Sequence, residues 1–481
     1  VCGGVGPVLA EWWVMPFVAG VDSSTQSVKV EIRDLDSGEI VDRGRGAHPA
    51  VTAPRSEQDP TSWWSAFEAA WVEAGDREVA AISIGGQQHG MVALDRSGDA
   101  VHPAKLWNDT ESSTDASRLV AEFGGPAAWA EAVGSVPVAA FTITKLAWLR
   151  RVHPEAFERM AHVVLPHDYL TSRLIGRYVT DRGEASGTGY WSPSLDEYRW
   201  DLLALVDTDV DWSTIVPPVA GPMEQVGSWR GAIVAPGTGD NMAAALGIGL
   251  TAGDAAVSIG TSGTVFAVSS TPTADPTGSV AGFADATGRF LPLVCTSNAA
   301  KVIDAVRTLL GVDAIEFDRL ALAAEPGGPI ALPYFDGERT PNRPDATGVV
   351  AGLRTDVTRE QFARSAVDGV ACGLLDGFRS LESMSAITGQ VTLVGGGARS
   401  EAMQRVLAGL LDAPVVVSEV DEAVATGAAV QAAAVLEQVE HVDIQRRWGL
   451  GSGVPVEGIE PADVERRYAA LRDSALGVIG V

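Results

Sequence analysis

Cysteine is nearly absent from this chain. Cys2, Cys295 and Cys372 are odd in number and far apart, so there is no basis for a disulfide framework or a thiolate zinc site, and a reducing cytoplasm fits. Long apolar runs are missing too. The best candidate, the Ala- and Gly-rich stretch 241–252, falls short of the about 20 residues that span a bilayer, and no membrane partner is expected. Positive charge is scarce: 35 Lys and Arg stand against 62 Asp and Glu, a formal charge of −27. Such a surface repels nucleic acid and any polyphosphate, so a bound nucleotide must be held locally by backbone N–H groups, helix N-termini and a metal ion. The usual glycine signatures for that task are lacking, since no G-x-x-x-x-G-K-[ST] occurs and no G-x-G-x-x-G follows a strand. Residues 1–16 have neither the basic n-region nor the cleavage site of a secretory signal and read as a disordered extension.

What is present is an ordinary globular composition, 46% hydrophobic and 20% charged, in a chain long enough for about two domains of roughly 100 to 250 residues. Phe17 to Arg33 reads as two apolar β segments, FVAGV and VKVEIRD, joined by the small-polar turn DSSTQS. A second copy of this pattern begins at Ala255. Laying Asp22 on Ser258 places Thr25 on Thr261, so two domains that open with the same hairpin are expected, over 17–236 and 237–470. Between the hairpins, strand-like runs (Val79–Ile84, Val163–Leu165) alternate with helical ones (Ser62–Val72, Thr144–Arg151), which argues an α/β fold. In QVTLV-GGGARS-EAMQRVLAGLL, a strand, a glycine turn and a helix follow one another, with Met403, Val406, Leu407 and Leu410 on one face.

The turns at Ser23–Ser27 and Gly260–Thr264 carry small residues whose amides and hydroxyls can approach phosphate oxygens closely. Either alone is equally well an ordinary hairpin turn. The Gly395–Gly397 turn can seat a nucleotide against the helix that follows, or be only a tight turn. Asp240, in APGTGDNMAAALG, is a helix N-cap or a base. Asp22 can place Mg²⁺ through water or satisfy its own hairpin. The segments GGQQHGM and LWNDTES put Gln88, His89, Trp107, Asn108 and Asp109 at strand exits, where amides, an imidazole, a carboxylate and an indole suit the hydroxyls and C–H face of a polyol.

Nine segments in order, GVDSSTQSVKV, SEQDPTSWW, GGQQHGM, LWND, LPHDYL, GTGDN, SIGTSGTVFAVS, LPYFDGERTP and VTLVGGGARSEAMQRVLA, resemble the FGGY carbohydrate kinases from Phe17 to about Ala434. The resemblance implies two actin-like (ribonuclease H-like) ATPase domains with a catalytic cleft between them, sugar bound mainly by the first and ATP by the second. It implies Asp240 as general base, Asp22 associated with Mg-ATP, and Asp22, Thr25 and Gln26 in the first phosphate motif. Gly260, Thr261, Ser262 and Gly263 match the second phosphate loop, and Gly395, Gly396, Gly397 and Ala398 the adenosine loop. Gln88, His89, Trp107, Asp109, Asp240 and Asn241 match the sugar contacts. ATP and Mg²⁺ are the implied cofactors and D-xylulose, converted to its 5-phosphate, the implied acceptor; a homodimer is compatible with the resemblance. The chain departs from the family pattern at Ser24, where Gly is usual, and lacks the Arg that often follows Asp109. Rival readings are a kinase for ribulose or glycerol, and a sugar-sensing protein without activity, which would lack the catalytic carboxylate.

Overall fold

Two seven-stranded mixed sheets, built to one plan, organise the chain. The computed structural model describes residues 16–51, 55–461 and 463–475. In the first sheet the hairpin of Phe17–Ser23 and Ser27–Asp34 is extended on one side by Ile40–Ala47 and on the other, in parallel, by Ala81–Gly86. In the second, Ala255–Ile259 and Gly263–Ala267 form the hairpin, and its first strand runs parallel to Val391–Val394. The duplication read in the sequence is therefore a duplication of hairpin plus parallel neighbour. The extension expected over residues 1–16 lies outside the described residues save for Pro16, whose carbonyl accepts from the Leu35 N–H.

Local chemistry fixes the main helices. Asp59 caps Pro60–Glu73 by accepting from the Thr61 N–H, and proline stands in its first turn, where its missing N–H costs nothing. That helix buries Trp63, Phe67 and Trp71 on the first sheet. A capping box of Thr358 and Gln361 starts Arg359–Glu382, which supplies much of the second core. No helix among the described residues is long and apolar enough to cross a membrane.

The expected divide at 236/237 is not where the sheets divide. Thr238–Gly239 still pairs with Ala81–Gly86 of the first sheet. The Ala-rich helix Ala423–Glu437, buried nearly all round, returns from the second half to pack on Phe17–Ser23 and on the helix Asp240–Gly247. The approach is at backbone contact: a Cβ on Gly20 would stand 1.9 Å from the Ala425 carbonyl oxygen, and one on Gly427 1.7 Å from that of Ala243. Only glycine fits such crossings.

Candidate active site

Three parallel strands of the first sheet end together. Asp22 lies beside Gly85 on one side of Ala81–Gly86, and Thr238 beside the same Gly85 on the other. Asp22, the segment Gln87–His89 and Asp240 thus leave the sheet at one carboxyl edge, the place where open α/β sheets bind ligands. Asp22 is a strand residue, not a turn residue: it contacts the Lys29 ammonium at 3.4 Å, and its Oδ1 has no partner. Burial pushes its carboxyl up to about 6 against the pull of Lys29. Lys29 reaches on to Glu422 at 2.5 Å, tying the first hairpin to the second half.

Asp240 is the first residue of its helix, with Gly239 as the capping position, so the N-cap reading does not hold. Its Oδ1 accepts from the backbone and side-chain N–H groups of Asn241, at 2.8 and 2.9 Å, and Asn241 donates also to Gln88 Oε1 at 2.7 Å. Gln88, Asn241 and Asp240 form one chain of contacts. Asp240 is partly buried, and desolvation by the surrounding protein, with the nearby Asp22, raises its carboxyl to about 7.

His89 is buried and held on three sides. Its Nδ1 lies 2.9 Å from the Gly187 carbonyl, which makes Nδ1 the protonated nitrogen and leaves Nε2 an acceptor. Its ring stacks on Phe141 at 5.0 Å, and its backbone, at φ 63°, donates to Glu184 Oε1 at 2.7 Å. Burial, with Lys145 and Arg339 nearby, lowers the imidazole to about 3, so the ring is neutral. The indole of Trp107 donates to the Thr25 hydroxyl at 3.0 Å, standing over the first turn. Gln26 is exposed and contributes its carbonyl to the His48 N–H.

Asp109 is placed differently from the expectation. One oxygen accepts from Lys105 and the Ser56 N–H, both at 2.9 Å, and the other from the Glu111 N–H at 3.0 Å. The fully buried Lys105 also binds Glu57 and Glu111 and lies 3.8 Å from the Trp148 ring centre. Its ammonium fills the position a metal ion would take among these three carboxylates. Removing one member of such a buried set costs about 3–5 kcal/mol. Asp109 shapes the Trp107 loop from beneath.

The second sheet repeats the edge. Ser258 pairs with Val394, so the Gly260–Gly263 and Gly395–Ala398 turns leave adjacent parallel strands at one end. The second turn lies against the strand end that leads into the first: a Cβ on Gly397 would meet Ile259 Cγ2 at 2.4 Å. Thr261 and Ser262 are exposed there, Gly263 and Ala398 buried. Gly395 does not open the following helix directly. A 3-10 turn over Gly396–Arg399 intervenes; Ser400 caps Glu401–Leu410, and Asp318 accepts from the Glu401 N–H. That helix end is already satisfied, so a nucleotide phosphate has no seat on it.

Sequence reasoning missed Glu184 and Lys145. Glu184 is fully buried beside Gly239, its Oε2 is unpartnered, and burial raises its carboxyl well above the usual range. Lys145 donates to the Ala139 and Ala140 carbonyls and is lowered to about 7 by burial. Lys145 is a single polar residue in a helical run, and Glu184, although it lies in the glycine-rich DRGEASGTG, belongs to neither copy of the duplicated hairpin.

Two mixed sheets, each opening on a hairpin whose first strand has a parallel neighbour, give the chain an actin-like ATPase fold. The sequence matches "FGGY family of carbohydrate kinases, N-terminal domain" over residues 17–247 and the corresponding C-terminal domain over 255–436, and the chain belongs to that family. Membership implies ATP as phosphoryl donor and a sugar acceptor. The chain is 44% identical to the xylulose kinase of Streptomyces coelicolor, across 96% of this chain and 97% of that protein. Among solved structures it resembles a xylulose kinase from Bifidobacterium adolescentis, with 40% identity, a TM-score of 0.83 and coverage of 95% and 99%. A second, from Brucella ovis, has 27% identity, a TM-score of 0.88 and coverage of 96% and 100%.

Proposed function

We propose that the protein is an ATP-dependent D-xylulose kinase that phosphorylates O5. The likeness to a xylulose kinase at 44% identity over nearly the whole of both chains carries this reading. In it, O5 attacks the γ-phosphorus as its proton passes to Asp240. The new O5–P bond forms while the bond from phosphorus to the β,γ-bridging oxygen breaks, and ADP leaves with that electron pair. A carboxyl near 7 suits a base at neutral pH, because it is part-ionised yet basic enough to hold the proton.

Gln88, His89, Trp107 and Asn241 orient the sugar, and Asp109 acts by holding the Trp107 loop. Thr25 and Gln26 line the first phosphate turn; Gly260, Thr261, Ser262 and Gly263 offer amides and hydroxyls to the β- and γ-phosphates. Gly395, Gly396, Gly397 and Ala398 border the adenosine. The first domain, its sheet completed by Thr238–Gly239, binds mainly sugar and the second mainly ATP. The unpartnered, buried Asp22 Oδ1 fits a carboxylate that holds Mg²⁺ through water; the ion would neutralise charge on the β- and γ-phosphates. The scarcity of cysteine supports a cytoplasmic setting.

A coupled ADP-release assay with D-xylulose, D-ribulose and glycerol tests the acceptor. We expect kcat/KM for D-xylulose to exceed the others by about 10-fold or more, the scale of one mismatched pocket contact. A similar margin in favour of ribulose or glycerol would overturn the assignment while leaving the family intact.

A further inference from the structure

The segment LPYFDGERTP carries an exposed arginine, Arg339. Glu338, itself buried, clamps this segment. Its Oε1 accepts from the Ser297 N–H at 2.5 Å and the Arg339 N–H at 2.7 Å, and its Oε2 from the Asn298 amide at 2.9 Å. Just beyond, the Ala299 and Ala300 N–H groups donate to the Thr261 and Gly260 carbonyls at 3.3 and 2.9 Å. The backbone of Arg339 is thereby knitted, through residues 297–300, to the Gly260–Gly263 turn. Its side chain is exposed, and among the described residues no carboxylate lies within ion-pair distance of it. Its charge reaches His89 on the opposite sheet edge and Cys295, whose thiol also senses Asp240.

The other cations near the groove are committed. Lys29 lies between Asp22 and Glu422, Lys145 is buried on two carbonyls, Lys301 pairs with Asp336 at 3.3 Å, and Arg399 lies 3.8 Å from Asp421. In a chain of formal charge −27, with Asp22 and Asp240 both in the groove, charge building on a transferring phosphoryl group needs a cation that no carboxylate already neutralises. A guanidinium suits phosphoryl oxygens because its fork donates two parallel hydrogen bonds.

We propose that Arg339 is a further contact residue of the reaction, donating to the equatorial oxygens of the phosphoryl group as it passes from ATP to the sugar. This rests on the kinase reading above. The interaction is made in the transition state, so it bears on turnover more than on ADP affinity.

The test uses the full chain with Arg339→Ala and Arg339→Lys. Both are first checked by circular dichroism and thermal melting against wild type. We expect kcat with D-xylulose to fall by about 10²-fold or more in the Ala variant, with partial retention in the Lys variant. Added guanidinium ion should restore part of the Ala variant's turnover. Calorimetry should show ADP binding kept, but the extra affinity for ADP–aluminium fluoride with sugar lost. A kcat within a few-fold of wild type would overturn the proposal. So would a fall in kcat with the aluminium fluoride complex still bound tightly, which would mark Arg339 as structural. If wild type phosphorylates no sugar at all, the kinase reading fails and takes the proposal with it, a result separable from inactivity confined to the variants.

Discussion

Asp240→Asn is expected to abolish most turnover while leaving the fold and both ligands in place. Asn keeps an oxygen to accept the Asn241 N–H groups that now bind Oδ1, and Gly239 holds the capping position without any side-chain bond. What Asn cannot do is take the proton. Turnover should fall by the about 10² to 10⁴-fold that a positioned general base contributes. The pH dependence carries the same sign. With its carboxyl raised to about 7, wild-type kcat/KM should decline as pH drops through 7 and Asp240 becomes protonated. Stability runs the other way: a raised pKa means the ionised form is the disfavoured one in the fold, a penalty that accrues as pH rises from the ordinary carboxylate range to about 7 and is fully present above it. The Asn variant should therefore melt no lower than wild type at pH 8. Turnover within a few-fold of wild type would remove Asp240 from the chemistry.

The second large effect is expected at Gly427, where the helix Ala423–Glu437 meets the helix that begins with Asp240. A Cβ there would lie 1.7 Å from the Ala243 carbonyl oxygen and 2.8 Å from the Gly247 N. Reciprocally, a Cβ on Gly247 would lie 1.9 Å from the Ala423 carbonyl oxygen. These neighbours are backbone, so no rotamer change relieves them. Gly427→Ala must push the helices apart, at a cost at or above the top of the roughly 1–3 kcal/mol typical of overpacking. Since the displaced helix carries Asp240, kcat should fall together with the melting temperature. Gly221→Ala, where nothing lies within 4 Å, is the control and should stay within about 0.5 kcal/mol of wild type. An unchanged melting temperature for Gly427→Ala would contradict the close crossing.

Legibility followed range in sequence. The two hairpins were readable because FVAGV/VKVEIRD and AAVSI/TVFAVSS declare themselves locally, and they appear as Phe17–Ser23 with Ser27–Asp34 and Ala255–Ile259 with Gly263–Ala267. The helix expected at Ser62–Val72 runs Pro60–Glu73, and that at Thr144–Arg151 runs Thr142–Val152. The passage of Ala423–Glu437 onto the first sheet left no local trace. It depends on Gly20, Gly247 and Gly427, three glycines that sequence alone cannot match to their facing carbonyls. Asp109 looked like a sugar ligand because its loop is polar, but its oxygens are spent on Lys105, Ser56 and Glu111. Likewise, the glycine turn at 395–397 reads in sequence as the start of a helix, but Ser400 and Asp318 satisfy that helix end.

The most direct test of the account is the product itself. Wild type incubated with ATP, Mg²⁺ and D-xylulose should give, in ³¹P NMR, a single new phosphomonoester resonance coupled to the two protons of one CH₂ group, appearing in step with ADP and identifying the ester at a primary carbon. ADP accompanied only by inorganic phosphate, or an ester on a carbon bearing one proton, would contradict it.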